Sequence, residues 1–306
     1  MSFLRQKFGF SYQLYGFVIT FLGGIAWSMS GVCSQYLGVY YAITPEWLST
    51  VRMLGAGIIM FAMYFWKNRS EYIEMLSSVR NWICLTAYGI AGVWLGNYAF
   101  LKSIVYTDVG IATVLTYMSP VFILIVVCLH DWRLPKSVEV AAVGLALFGC
   151  ICLATHLDFK GLTLPLLGLV WGLVSAIGTV INTLLPLYCL SRYRVTTFLS
   201  VGTLIAGVFI FFYSDFPSIP FSLDAKGWFA VLVTVLFGTV IAFLCFMQGV
   251  MIIGGVKASI VSCVEPVCSA IFAVFMFGVQ YTWMDLTGFA LILGAILILS
   301  AAKKTE

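Results

Sequence analysis

Apolar residues run along this chain in long unbroken blocks, and short clusters of charge, Pro and Gly separate the blocks. The strict alternation of apolar and polar positions that marks a half-buried strand or a transmembrane barrel is missing. A bilayer core of about 30 Å asks for roughly 20 apolar residues in a helix. On that ruler the chain divides into ten predicted spans, residues 14–37, 46–66, 82–105, 109–129, 138–155, 164–190, 196–213, 228–252, 256–276 and 283–301. Turn chemistry punctuates them at Thr44-Pro45-Glu46, Lys67-Asn68-Arg69, Thr107-Asp108, Asp131 to Lys136, Asp158-Phe159-Lys160-Gly161, Arg192-Tyr193-Arg194, Asp215 to Lys226 and Gly254-Gly255.

Composition narrows the class. Of 306 residues 62% are hydrophobic and 9% charged, against about 25% charged in an ordinary soluble domain. So few charges cannot clothe a soluble surface, which excludes a globular cytosolic or secreted protein, a nucleic-acid binder and a disordered chain. The expected class is an all-α integral membrane protein. With both termini cytoplasmic, the inner segments hold Arg5, Lys7, Lys67, Arg69, Arg80, Arg133, Lys136, Arg192, Arg194, Lys257, Lys303 and Lys304, and the outer ones only Lys102, Lys160 and Lys226. That bias is the positive-inside pattern of an even number of spans in a cell (plasma or inner) membrane. The net charge of +4 thus reports orientation. The first block is long enough to span and lacks a small-x-small cleavage site, so it reads as a helix that is kept. The nine cysteines all sit in or at the end of apolar blocks, without metal-ligand spacing, and read as small packing residues.

A shift of 146 positions lays Thr113-Val114-Leu115-Thr116-Tyr117-Met118-Ser119-Pro120 over Ser259-Ile260-Val261-Ser262-Cys263-Val264-Glu265-Pro266, and pairs Gly92 with Gly238, Phe100 with Phe246 and Ala112 with Ala258. The chain therefore reads as a duplication: a tail at 1–13, a first repeat at 14–157, a second at 158–302 and a tail at 303–306. Five spans per repeat is an odd number, so the second copy enters the membrane from the other side. An inverted repeat is the architecture of a carrier with two exchangeable conformations.

These residues resemble the drug/metabolite transporter superfamily, and within it the EamA-type carriers of two five-helix repeats. The resemblance rests on Trp27 with Gly31, Pro45 followed by Arg52, Ala112 to Pro120, and Ala258 to Pro266, above all Val264-Glu265-Pro266-Val267. The sequence departs from that pattern where these carriers close a repeat with a Gly-Glu pair. It reads His130-Asp131-Trp132-Arg133 and Gly278-Val279-Gln280-Tyr281 there, and Ser119-Pro120 stands where the second repeat has Glu265-Pro266. The resemblance implies amino acids, related metabolites or amphipathic drugs as cargo, and export more often than uptake.

Within the spans two ionisable groups need an explanation, because a charge at mid-bilayer costs on the order of 2.5–3.5 kcal/mol. Glu265 lies ~14 Å deep and is the expected coupling carboxylate, protons being the coupling ion; its alternative is a neutral or paired group that locks packing. Arg52 is either a clamp for a substrate carboxylate, a residue snorkelling to the outer headgroups, or the ion-pair partner of Glu265. Pro120 and Pro266 are the expected hinges, since each removes a backbone donor. The expected cavity is lined by Trp27, Ser30, Gln35, Trp94, Asn97, Tyr98, Tyr117, Ser119, Trp171, Thr179, Asn182, Gln248 and Ser262, with Asn97 and Asn182 facing the bundle interior because an amide in lipid must find a partner. The alternative for each is an interhelical hydrogen bond. Trp66, Trp82 and Trp283 read as interface anchors, and Gly92-x-x-x-Gly96 and Gly168-x-x-x-Gly172 as close helix contacts. No Walker A, His-Glu-x-x-His or Gly-x-Ser-x-Gly motif occurs, and only His130 and His156 are present, so neither an ATP-driven pump nor an enzyme is expected, and no cofactor or metal. The expected function is secondary transport of a small organic metabolite by a monomer or homodimer in the bilayer. The alternatives are an uncoupled facilitator, a carboxylate or sugar-phosphate carrier, or a membrane-embedded enzyme or assembly factor.

Overall fold

The computed structural model describes residues 9–107, 109–155, 165–213, 223–278 and 282–301. Among these, nine helices are long and apolar enough to cross a bilayer, and a shorter apolar helix, Ser137–Cys152, stands at the fifth position. The ten expected spans are all present, and no strand occurs among the described residues. The expected division between repeats at 157 and 158 and the tail at 303–306 lie outside the described residues, as does most of the first tail.

The first span, Gly9–Tyr41, is longer than its apolar block. The second, Pro45–Tyr64, begins with Pro in its first turn, where a missing N–H costs nothing, behind a Thr44 side chain that accepts from the Trp47 N–H. A short helix, Arg69–Ser77, fills the next connection; its polar composition gave no transmembrane signal. The third and eighth spans are not uniform α-helices. Each carries a π-helical stretch, Tyr88–Trp94 and Leu236–Ile241.

The fourth and ninth spans are broken. The fourth runs Val109–Thr116 and then Ser119–His130, the ninth Gly255–Ser262 and then Val264–Phe277. Pro120 and Pro266 explain the breaks: neither can donate to the carbonyl four residues back, and each ring crowds it. The chain crosses the gap on tighter bonds, Met118 N–H to Leu115 O and Cys263 N–H to Ile260 O, both 3.1 Å.

The 146-residue offset is visible in the structure. The breaks coincide under it, and so do two caps that open the fifth and tenth spans. Glu139 accepts from the Lys136 N–H at 2.9 Å, and Asp285 from the Thr282 N–H at 2.7 Å. Packing obeys the same symmetry. The third span packs on the sixth (Leu166–Leu184 and Pro186–Leu190) and the eighth on the first, while the second pairs with the seventh (Val195–Tyr213) and the fifth with the tenth (Trp283–Ala301). A two-fold relation between halves exchanges the first two contacts and returns each of the other two to itself.

Small residues set these approaches. A β-carbon on Gly178 would fall 2.6 Å from the Gly96 Cα, one on Gly92 3.1 Å from the Asn182 N, and one on Gly172 2.4 Å from Leu115. Both small-residue motifs are therefore helix contacts. Two apolar clusters result. One draws mainly on the first, second, third, seventh and eighth spans, the other on the fourth, fifth, ninth and tenth. One face of the bundle is tied by Glu71 to Arg194 at 3.5 Å, Glu74 to Arg192, and the Asn81 amide donating to the Tyr193 hydroxyl at 3.1 Å.

Candidate functional site

Two polar groups flank the first span at mid-depth, in the seam between the apolar clusters. On one side, the break in the ninth span places Glu265 in the first turn of Val264–Phe277. The break in the fourth span presents Tyr117, whose hydroxyl donates to the Glu265 carboxylate at 3.2 Å. Ser28 of the first span closes this group, its hydroxyl shared between the carbonyls of Gly24 at 2.8 Å and Glu265 at 2.9 Å.

On the other side, Arg52 of the second span reaches the π-helical stretch of the eighth. Its Nη2 donates to the Gly238 carbonyl at 3.3 Å and its Nε to the Thr239 hydroxyl at 3.4 Å. A π-helical stretch disturbs the regular backbone ladder and leaves room for such an outside donor. Arg52 thus turns inward to a neighbouring helix rather than out to the headgroups. Ser30 lies against the same spot. Its hydroxyl is buried and has no hydrogen-bond partner.

Arg52 and Glu265 are both half-buried. Neither takes part in the ion pairs found among the described residues, although each lies within the other's electrostatic field. Ser28 and Ser30 are two residues apart, about 200° around a helix, and Ser28 meets the ninth span while Ser30 meets the eighth.

Aromatic residues form two further groups. Trp27 packs on Phe243 and Phe246 with ring centroids 5.8 and 5.1 Å apart. Trp94 stacks on Tyr98 at 5.5 Å, Trp171 meets Tyr98 edge-on at 5.8 Å, and Phe209 and Tyr213 of the seventh span complete this cluster. The Lys102 ammonium sits over the Tyr98 ring at 5.4 Å.

Of the expected cavity residues, the structure brings Tyr117 to Glu265, Ser30 to the Arg52 group, and Trp94, Tyr98 and Trp171 to one another. Others stand apart. Asn97 is exposed, and its amide donates to the Val93 carbonyl of its own helix at 2.6 Å. A helix can satisfy an amide from within, so the need for a partner did not dictate its direction. Gln35 is exposed as well, while Asn182 and Gln248 are half-buried. Ser262 and Thr179 bond back to Ser259 and Ser175, one turn earlier, and Ser119 is buried beside Pro120.

Ser28, Gly238 and Thr239 were not anticipated as members of the site. The pairing of Gly92 with Gly238 across the repeat was the available signal for the π-helical stretch. A groove of about 560 Å³ runs beside the seventh span between Trp82 and Tyr213; its walls are apolar and hold neither ionisable group. No cluster of three or more His, Cys, Asp or Glu able to hold a metal occurs among the described residues.

The model of the EamA-like transporter family matches residues 14–155 and 166–301. A protein of Salmonella typhimurium described as the uncharacterized inner membrane transporter YicL is 26% identical over 285 residues, covering 93% of this chain and 95% of that one. An uncharacterized transporter of Archaeoglobus fulgidus is 27% identical over 202 residues, covering 65% and 70%. A solved crystal structure superposes with a TM-score of 0.77 over 92% of this chain and 95% of the other. At 17% identity that likeness speaks for the fold alone.

Proposed function

The chain belongs to the EamA-like transporter family, and from that membership we propose that it is a secondary transporter moving a small organic metabolite across the inner membrane by alternating access. The contact of Tyr117 with Glu265 carries this reading. It joins the broken spans of the two repeats at mid-depth, where carriers of this symmetry hold their solutes. Movement of one repeat against the other makes or breaks that contact. Glu265 then supplies a group that can hold a proton or a charge, and the cost of a buried charge lets its protonation be tied to the movement.

Amino acids, related metabolites and amphipathic drugs are the proposed cargo and export the proposed direction, both following the family resemblance. The aromatic walls at Trp27 and at Trp94, Tyr98 and Trp171 suit a solute with an apolar part. The proposed orientation puts both termini in the cytoplasm, where the basic residues concentrate, with residues 14–157 and 158–302 as the two exchanging halves.

Counterflow of labelled solutes in proteoliposomes tests transport itself, and absence of exchange across a broad solute panel would sink the reading. Glu265→Gln tests coupling. The expected outcome is exchange that no longer responds to pH; an unchanged pH response removes Glu265 as the coupling group.

A further inference from the structure

Resting on the carrier reading, we propose that Arg52, Ser30 and Thr239 form a receptor for a single carboxylate on the transported solute. Three observations converge on it. The Arg52 guanidinium is half-buried in the bundle with no ion-pair partner among the described residues, and its two contacts, at 3.3 and 3.4 Å, are long and go to neutral oxygens. Arginine has five N–H donors in a planar fork, so most of its capacity is unspent. A cation without an ion pair at this depth is costly, and an anionic oxygen pair lowers that cost with two parallel bonds.

The second observation is the Ser30 hydroxyl, 1% exposed and without a partner. Buried hydroxyls nearly always find one. The third is Gly238. A β-carbon built there would fall 2.0 Å from the Ser30 Oγ and 3.2 Å from the Arg52 Nη2, so hydroxyl and guanidinium press on the same face of the eighth span. Only glycine lets the two approach that face so closely.

Depth and charge define the ligand further. Ser30 is eleven residues before the end of the first span at Tyr41, or ~16 Å in at 1.5 Å per residue, close to the middle of a core about 30 Å thick. One guanidinium matches one carboxylate. A second negative group would meet the field of Glu265, which already reaches Arg52. Trp27 stands three residues before Ser30 on the same helical face, packed on Phe243 and Phe246, and offers an apolar wall to the rest of the molecule. The receptor therefore takes a monocarboxylate with an apolar body.

Matched pairs that differ only in the acid test this: phenylacetate against phenylacetamide, and isobutyrate against isobutyramide, by thermal shift on the purified full chain in detergent. The expected result is stabilisation by at least one acid and none by its amide. Arg52→Gln and Ser30→Ala should each weaken that binding at least tenfold. Ser30→Ala removes a hydroxyl that bonds nothing in the free protein, so it should fold as stably as wild type while losing affinity, an outcome that a purely structural Ser30 would not produce. Acids that stabilise no better than their amides, a preference that survives both substitutions, or equal protection by sodium chloride alone would overturn the receptor. Counterflow of other solutes with every acid inert would leave the carrier standing and remove the receptor. Acid binding without counterflow would do the reverse.

Discussion

Ser28 and Ser30, two residues apart on the first span, meet different helices: the Ser28 hydroxyl lies 2.9 Å from the Glu265 carbonyl of the ninth span, and Ser30 lies against Gly238 of the eighth beside Arg52. Arg52 and Glu265 form no ion pair among the described residues. Had the two met, each would have neutralised the other and neither would be available to a proton or a solute. That they stay unpaired is the feature on which the reading of the site depends.

The contact between Tyr117 and Glu265 should be energetically real. Tyr117→Phe removes only the donor and should cost about 0.5–1.5 kcal/mol, the usual net worth of one hydrogen bond. In a double-mutant cycle with Glu265→Gln the two losses should fall short of additive, because both act on one bond. Unfolding in mixed micelles measures this, and strict additivity would mean that the bond contributes nothing.

Gly238 and Gly144 should respond to alanine in opposite directions. At Gly238 the added methyl strikes Ser30, and overpacking of this kind costs about 1–3 kcal/mol. Nothing lies within 4 Å of a β-carbon at Gly144, so alanine there should stabilise its helix by about 0.5–1 kcal/mol. Ser30→Gly combined with Gly238→Ala should recover part of the first loss. Thermal unfolding of the three variants provides the comparison.

The caps of the fifth and tenth spans should be worth similar amounts, being the same device in two copies. Asp285→Ala should lose about 0.5–2 kcal/mol. Glu139→Ala should lose more, because the Arg133 fork also grips that carboxylate at 2.8 and 3.0 Å and would be left without it. An equal loss at both positions would show that the Arg133 contact adds no stability.

Asp224 caps the eighth span, accepting from the Gly227 N–H at 2.8 Å and from the Tyr41 hydroxyl. The tyrosine bond first, and then the backbone bond, hold its carboxyl below the ordinary carboxylate value. A group depressed in the folded state adds stability that is complete above its unfolded value, about 3.9 for Asp, and lost as pH falls through the lower folded value. Wild type should accordingly unfold later than Asp224→Asn at neutral pH, with the gap closing in acid below about pH 3.9. A gap that stays constant across that range would assign the contact no role in stability.

Much of this molecule could be read from its residues. Ten spans, the duplication at 146 positions and the two intramembrane charges at Arg52 and Glu265 follow from apolar block length, register and the cost of charge in lipid. These are properties of local composition, and a bilayer imposes them on any arrangement of the helices. Pro120 and Pro266 announced the breaks for the same local reason, since a missing N–H acts on the turn that contains it.

What each side chain meets was decided only by the packed bundle. The π-helical stretches of the third and eighth spans, the inward turn of Arg52, the isolation of Ser30 and the exposure of Asn97 depend on how helices distant in sequence approach one another. Rotating a helix by one residue, about 100°, changes every neighbour while leaving its apolar length untouched. Sequence alone therefore determined that this chain carries ten apolar blocks with two charges inside them. The tertiary structure decided that Arg52 meets the eighth span and that Glu265 meets Tyr117 of the fourth, because the rotation of each helix sets its neighbours.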